Sequence, residues 1–520
     1  MATVAAPELQ VAPPATPGAV ARLSALLSDP RKALCAAVLI LVASAGWDAL
    51  GDPDVWWHLR LGRWIAAAHA VPGTEMFSYT AQGNPLVAHE WLSDVVFATL
   101  AAAGGLFLVS LAMAAVAWSG FIAVALRARA RGAGPLAIAI GMALAAKAAE
   151  PVLGTRPQVF TVALLAWSLW LAESYLRSGG RRRWLLPLVF VVWANLHAGF
   201  VAGLAFLALL VAVEAVKRRF QLGGTAPVER IRGIAVAIGA SAVAACLNPA
   251  GPMLYRFALS TSAGEGTKQI IEWQSPNFHD PAMWALLALL VSFVVLPALG
   301  GRLDLRDAAL AAAGIVMALM AVRYTAICVI AVAPAWMAMA GDVSRRHRSR
   351  AAVRTHIRPA KPMAVLTGAM VVAAGCATLG YTGSRVYAAA SPAGVAAVYP
   401  SCAADVLGHS PAAQRVFAAY ASAGYVIDRL WPKATVYEYG ESISLGTAVF
   451  NDYQRIAAGA QTAPSALQLL DQSGTTAVLY PKGDLTAQLD SSPGWTRLVD
   501  DHGMLLYARG DTSWAAGARC

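Results

Sequence analysis

Apolar and polar positions come in blocks along most of this chain. Runs of Ala, Leu, Val and Ile predict membrane-crossing helices near 34–50, 92–126, 134–152, 157–176, 184–195, 197–216, 231–247, 281–299, 308–322, 324–341 and 362–380. That makes about eleven crossings, the two near residue 195 being short for a hydrocarbon core of about 30 Å. Beyond residue 386 the hydropathy drops. Strand-like runs at Arg415–Tyr420, Thr435–Tyr439, Ala477–Tyr480 and Met504–Ala508 alternate with helical patterns near 392–407 and 464–472. The expected organisation is a disordered cytosolic tail over 1–33, an α-helical polytopic membrane domain over 34–385, and a small C-terminal extracytoplasmic α/β domain over 386–520.

Composition agrees with the block pattern. The chain has 520 residues, 58% hydrophobic and 13% charged, with a mean hydropathy of +0.56. A soluble domain carries roughly 45–50% apolar and about 25% charged residues, so an ordinary soluble enzyme is excluded, and so is disorder of the bulk of the chain. The net charge of +11 reads as topology signalling rather than nucleic-acid binding, because the basic residues sit in short loops between apolar runs. The clusters are Arg127, Arg129 and Arg131; Arg177 and Arg181–Arg183; Lys217–Arg219; and Arg345, Arg346, Arg348, Arg350, Arg354, Arg358 and Lys361. They occupy alternate loops, which puts the N-terminus in the cytosol and the C-terminal domain outside. Cys35, Cys246, Cys328 and Cys376 lie in apolar runs and read as core residues, whereas Cys402 and Cys520 lie in the polar region and are free to pair in an oxidising compartment. No CxxC, HExxH or P-loop pattern occurs.

The residues able to carry chemistry share one side. Asp52, Asp54, His58, His89, Glu90, Arg156, Asn195, His197, Glu272 and Arg323 all map to outer loops or outer ends of spans, which predicts one shared outer cavity. In Asp52-Pro-Asp-Val-Trp-Trp-His58, Pro53 stops the first helix and Asp54 is placed to cap the next. The two aspartates read as caps, as metal ligands without chemistry, or as a base with a raised pKa near a low-dielectric boundary. The helix places Trp56, Trp57 and Trp64 at the interface, and Trp56 and Trp57 read first as interfacial anchors and second as sugar platforms. Glu90 suits the start of the following helix and adds another carboxylate to the same loop. Arg156 and Arg323 suit bidentate phosphate contact or, alternatively, an ion pair with Glu150 or Glu272. His197 reads as a core histidine or a site residue.

The segments 52–59, Phe77–Thr80, His89–Ser93, Arg156–Gln158, Trp193–His197 and Glu272–Pro276 resemble a large family of bacterial polytopic proteins. That family is described as similar to integral-membrane glycosyltransferases of the GT-C fold. The resemblance implies a bacterial inner-membrane location and a polyprenyl-phosphate-linked sugar donor. It implies a glycan, lipid or protein acceptor in the envelope and no nucleic-acid partner. It makes Asp54, or Asp52, the base that activates an acceptor hydroxyl. Glu90 positions the acceptor or a metal, and Arg156 and Arg323 are candidates for the donor phosphate. His58, His89, His197 and Glu272 join them as substrate-binding residues. No metal ligand is assigned, although a divalent ion (Mg or Mn) is compatible with the carboxylates. The C-terminal domain departs from the family at Ser422-Ala-Gly-Tyr425 and Glu438-Tyr-Gly-Glu441, so the resemblance extends no ligand role to it. The rival readings are a transporter and a non-catalytic scaffold for envelope assembly.

Overall fold

The computed structural model describes residues 18–263, 270–350 and 361–520; most of the expected tail, together with Arg354 and Arg358 of the strongest basic cluster, lies outside the described residues. Two short helices open the chain, α1 (Ala19–Leu27) and α2 (Pro30–Val42), so the end of the expected tail is helical. Asp29 caps α2 by accepting a hydrogen bond from the Arg31 amide at 3.0 Å. Then follow α3 (Val55–Ala68), α4 (Trp91–Ala130), α5 (Pro135–Ala149), α6 (Gln158–Ser178), α7 (Leu185–Leu196), α8 (Phe200–Arg219), α9 (Val228–Ala244) and α10 (Met253–Ala263). The bundle is completed by α11 (Trp284–Ala298), α12 (Leu305–Met320), α13 (Thr325–Arg350) and α14 (Lys361–Ala389).

Seven segments among the described residues are long and apolar enough to cross a bilayer: α4, α5 with its 3-10 extension, α6, α8, α11, α13 with the 3-10 turn before it, and α14. Four more apolar runs of the sequence form shorter helices, α2, α7, α9 and α12, of 13, 12, 17 and 16 residues. The 40-residue α4 breaks at Gly104 and Gly105, where φ of +65° at Gly105 is a conformation that costs glycine little. Cys328 is buried, but Cys376 is exposed, because α14 touches the bundle along one face only.

Three of the basic residues read as loop signals are interior. Arg127 in the last turn of α4 and Arg131 at its C-cap both bind Glu173 of α6, and Arg131 also binds Asp307 of α12 at 2.6 Å. Arg127 is 1% exposed and Glu173 fully buried. Lys217 of α8 is likewise buried and pairs with Asp304 at 2.7 Å. Counting charges cannot separate a loop from a helix end whose charged face turns inward.

The C-terminal region folds as α15 (Pro392–Ala396), α16 (Ser401–Gly408), β1 (Gln414–Ala418), α17 (Tyr420–Leu430), β2 (Ala434–Val436), α18 (Ser442–Leu445), α19 (Thr447–Ala457), α20 (Ala466–Gln472), β3 (Ala477–Pro481), α21 (Asp484–Asp490), β4 (Thr496–Asp501) and β5 (Met504–Ala508). The sheet order is β2-β1-β3-β5-β4; β1 runs parallel to both neighbours and β5 antiparallel to both of its own. Cys402 and Cys520 form a disulfide with Cα atoms 5.7 Å apart.

This domain grips the segment that follows α2. Residues 77–79 pair alongside β2, the Val436 amide donating to Phe77 O at 2.9 Å and the Tyr79 amide to Val436 O at 3.1 Å. α3 packs into the same core: Trp56 meets Tyr399 and Tyr425 edge-on at 5.2 and 4.9 Å, and Trp57 meets Tyr439 at 5.6 Å. Both tryptophans are buried, so neither is an interfacial anchor; Trp57 also lines the cavity described below.

Candidate functional site

The space between the bundle and the C-terminal domain holds a cavity of about 420 Å³. All nine residues predicted for the site line it: Asp52, Asp54, His58, His89, Glu90, Arg156, His197, Glu272 and Arg323. Asn195 stays outside the lining and has a structural task. Its carbonyl oxygen accepts from Trp91 Nε1 at 2.8 Å, and its amide donates to Leu247 O at 2.9 Å, which fixes the break between α7 and α8.

The two aspartates divide their work. Asp52 is buried; one carboxylate oxygen accepts from the Asp54 amide at 3.0 Å and the other from Arg156 Nε. Arg156 reaches onward to Glu272 at 2.8 Å, so it clamps Asp52 and Glu272 rather than Glu150, which pairs with Lys147. Asp54 sits at the N-cap of α3 with helical dihedrals and makes no capping bond, which leaves its carboxylate facing the cavity. Burial and the neighbouring charge of Asp52 push its pKa up to about 7, against the pull of His58 and Arg156. A β-carbon on Gly440 would lie 2.1 Å from Asp54 Oδ1, so the domain's backbone packs directly on this carboxylate.

Glu90 sits at the N-cap of α4, also without a capping bond. Three histidines surround it: His197 Nε2 at 3.4 Å and His89 Nε2 at 3.5 Å from Oε1, and His58 Nε2 at 3.8 Å from Oε2. Burial raises the Glu90 pKa, but His89, His197 and His58 together hold it well below the usual carboxylate range. Burial lowers the His89 pKa, but Glu90, Glu441 and the Val87 carbonyl carry it up to about 9. His197 differs. Its Nδ1 accepts the Gly199 amide at 2.8 Å and lies 2.9 Å from Thr161 Oγ1. Burial and the cations around it lower its pKa to about 4, so it is neutral and points Nε2–H at Glu90.

Arg323 supplies the opposite character. Its guanidinium lies 4.2 Å over the Trp273 ring, and no ion pair to it is found among the described residues. Gln158 holds its main-chain carbonyl at 2.8 Å.

Sequence reasoning missed several contributors to the cavity: Trp273, Tyr420, Gly440, Glu441, Phe450 and Gln454. Gly440 and Glu441 belong to the segment that departs from the family pattern, and the domain they belong to forms part of the wall. Glu441, whose pKa burial raises, accepts from Ser444 Oγ at 2.7 Å.

Among the described residues no group of three or more His, Cys, Asp or Glu is arranged to hold an ion. Asp52 is taken up by Arg156, and His197 offers Glu90 a hydrogen rather than a lone pair.

No family model and no curated protein matches the chain. Solved structures do. The oligosaccharyltransferase of Archaeoglobus fulgidus in its apo form aligns over 92% of this chain and 74% of its own, at 12% identity and a TM-score of 0.59. The oligosaccharyltransferase AglB from Archaeoglobus fulgidus, in complex with an inhibitory peptide and a dolichol-phosphate, aligns with a TM-score of 0.58 over the same shares and at the same identity. ArnT from Cupriavidus metallidurans bound to undecaprenyl phosphate aligns over 92% of this chain and 97% of its own, at 15% identity and a TM-score of 0.52. The chain therefore has the GT-C fold of these membrane proteins, a multi-pass helical bundle with a C-terminal domain.

Proposed function

We propose that the chain is a membrane glycosyltransferase that moves a sugar from a polyprenyl-phosphate donor to an acceptor hydroxyl on the extracytoplasmic side. The observation that carries this reading is the presence, in one cavity of a GT-C fold, of the Asp54 carboxylate and the Arg323 guanidinium, which makes no ion pair among the described residues. The dolichol-phosphate and undecaprenyl phosphate bound by the two similar proteins support a lipid-phosphate ligand for this chain as well.

The reaction follows from the side chains. The acceptor oxygen attacks the anomeric carbon and its proton passes to Asp54, whose pKa of about 7 suits a base working near neutrality. The bond from the anomeric carbon to the phosphate oxygen breaks, and Arg323 meets the charge that collects on the leaving phosphate. Arg156, with both faces occupied by Asp52 and Glu272, braces the wall and holds Asp52 behind Asp54.

Profiling of lipid-linked glycans in a deletion strain tests the reading. One lipid-linked sugar accumulates, and the gene restores its consumption. Arg323→Ala restores it poorly, at least about 10-fold below wild type, as expected for loss of a charge-assisted contact to phosphate. If no lipid-linked sugar accumulates and proteoliposomes take up a solute instead, the transporter reading replaces this one. A second expected result concerns Gly440→Ala. The added methyl displaces the Asp54 carboxylate, and consumption falls by roughly 100-fold while the thermal midpoint of the purified protein moves by only a few degrees.

A further inference from the structure

One buried carboxylate next to the cavity has no part in the reaction described above. Asp94, in the first turn of α4, is 1% exposed and its Oδ1 lies 2.6 Å from His58 Nδ1. The contact depends on α3 and α4 meeting backbone to backbone, since a β-carbon on Gly62 would lie 1.9 Å from Asp94 O. The His58 ring is held between Trp57, with ring centroids 3.6 Å apart, and the edge of Phe97 at 6.0 Å. Only Nε2 is left to face the cavity, 3.8 Å from Glu90 Oε2.

We infer that Asp94 is a positioning residue: by accepting Nδ1–H it locks the His58 ring and keeps Nε2–H aimed as a fixed donor into the cavity between Asp54 and Glu90. The inference rests on the transferase reading for its purpose, since a donor placed there binds the hydroxyls of the sugar in flight. It rests for its existence on the held geometry of the ring and on the ring carrying a proton at each nitrogen. The charged groups facing His58 are Asp94 in the first turn of α4, Glu90 at its N-cap and Asp54 at the N-cap of α3; burial lowers its pKa, and these three carboxylates outweigh burial and bring it to about 9. Asp94 is the one of the three in direct hydrogen-bond contact, and it lies out of reach of substrate behind the ring.

The test uses full-length protein labelled with 15N-histidine, with His58→Gln assigning the resonance. In the wild type His58 is an imidazolium at pH 8; a neutral ring there overturns the inference even if no variant can be purified. In Asp94→Asn the resonance titrates at least one pH unit lower, and an unchanged titration overturns the inference. Turnover is then measured with the lipid-linked sugar that the deletion strain accumulates. Asp94→Asn lowers kcat by roughly 100-fold with the donor KM within about threefold, and Asp94→Glu recovers part of it. Wild-type kcat in Asp94→Asn beside a dead Asp54→Asn overturns the positioning role. If neither variant alters any glycan while the resonance moves as expected, the transferase reading fails and the lock on His58 stands.

Discussion

Asp54→Asn abolishes sugar transfer, with a loss of about 10²–10⁴-fold, the range a positioned general base contributes. The amide keeps the size and contacts of the carboxylate against Gly440 and Trp57, so the protein folds and stays in the membrane while the lipid-linked sugar accumulates. The pH profile gives the sharper reading. A base acts in its deprotonated form, and Asp54 titrates at about 7, so the wild-type rate climbs tenfold per pH unit below that value and levels off above it. The plateau ends near pH 9, where His58 and His89 give up their protons and the cavity turns net negative toward a phosphate donor. The residual rate of Asp54→Asn lacks the acid limb. A variant that retains the limb at full rate would transfer the role of base to another group.

Glu173→Ala carries the largest cost in stability, about 3–5 kcal/mol, because it leaves buried guanidinium groups without their shared carboxylate. Among the described residues Arg127 loses its one carboxylate partner and keeps the Ile330 carbonyl at 2.6 Å; Arg131 keeps Asp307. The thermal midpoint in detergent reads the loss. Replacing Arg127 and Glu173 together by Leu and Met loses less, since an apolar pair strands only the Arg131 contact to Glu173. Transfer measured well below the midpoint stays near wild type, because this network lies outside the cavity.

How far the sequence discloses the molecule depends on what each signal can distinguish. Asp54, His58, His89, Glu90, Arg156, His197, Glu272 and Arg323 are legible because long apolar blocks assign each of them to the same end of the bundle. Asp94 is not legible, since an acid in the first turn of an apolar helix already has a structural reason, and only the approach of α3 at Gly62 gives it another. Glu441 is hidden by a motif that departs from the expected one. Trp56 and Trp57 mislead because an aromatic pair beside a span has the same pattern at a membrane interface and in a core shared by two domains. Arg127 and Arg131 mislead in the same way: a basic cluster after an apolar run has the pattern of a topology signal, but a partner on α6, 42 residues away from Arg131, decides their burial. Strand β4 escapes notice because Thr496–Asp501 is mostly polar and shifts register between Arg497 and Val499.

The stretch at 77–79 that completes the sheet beside β2 links chain made early with chain made late. Ribosomes deliver N-terminal segments first. Asp54 is therefore synthesised long before Gly440, whose backbone packs against its carboxylate, and residues 77–79 long before their partner Val436. On the transferase reading proposed above, a nascent protein whose last domain has not yet docked holds Asp54 beside an unfinished chamber, and activity is expected only once that domain is in place.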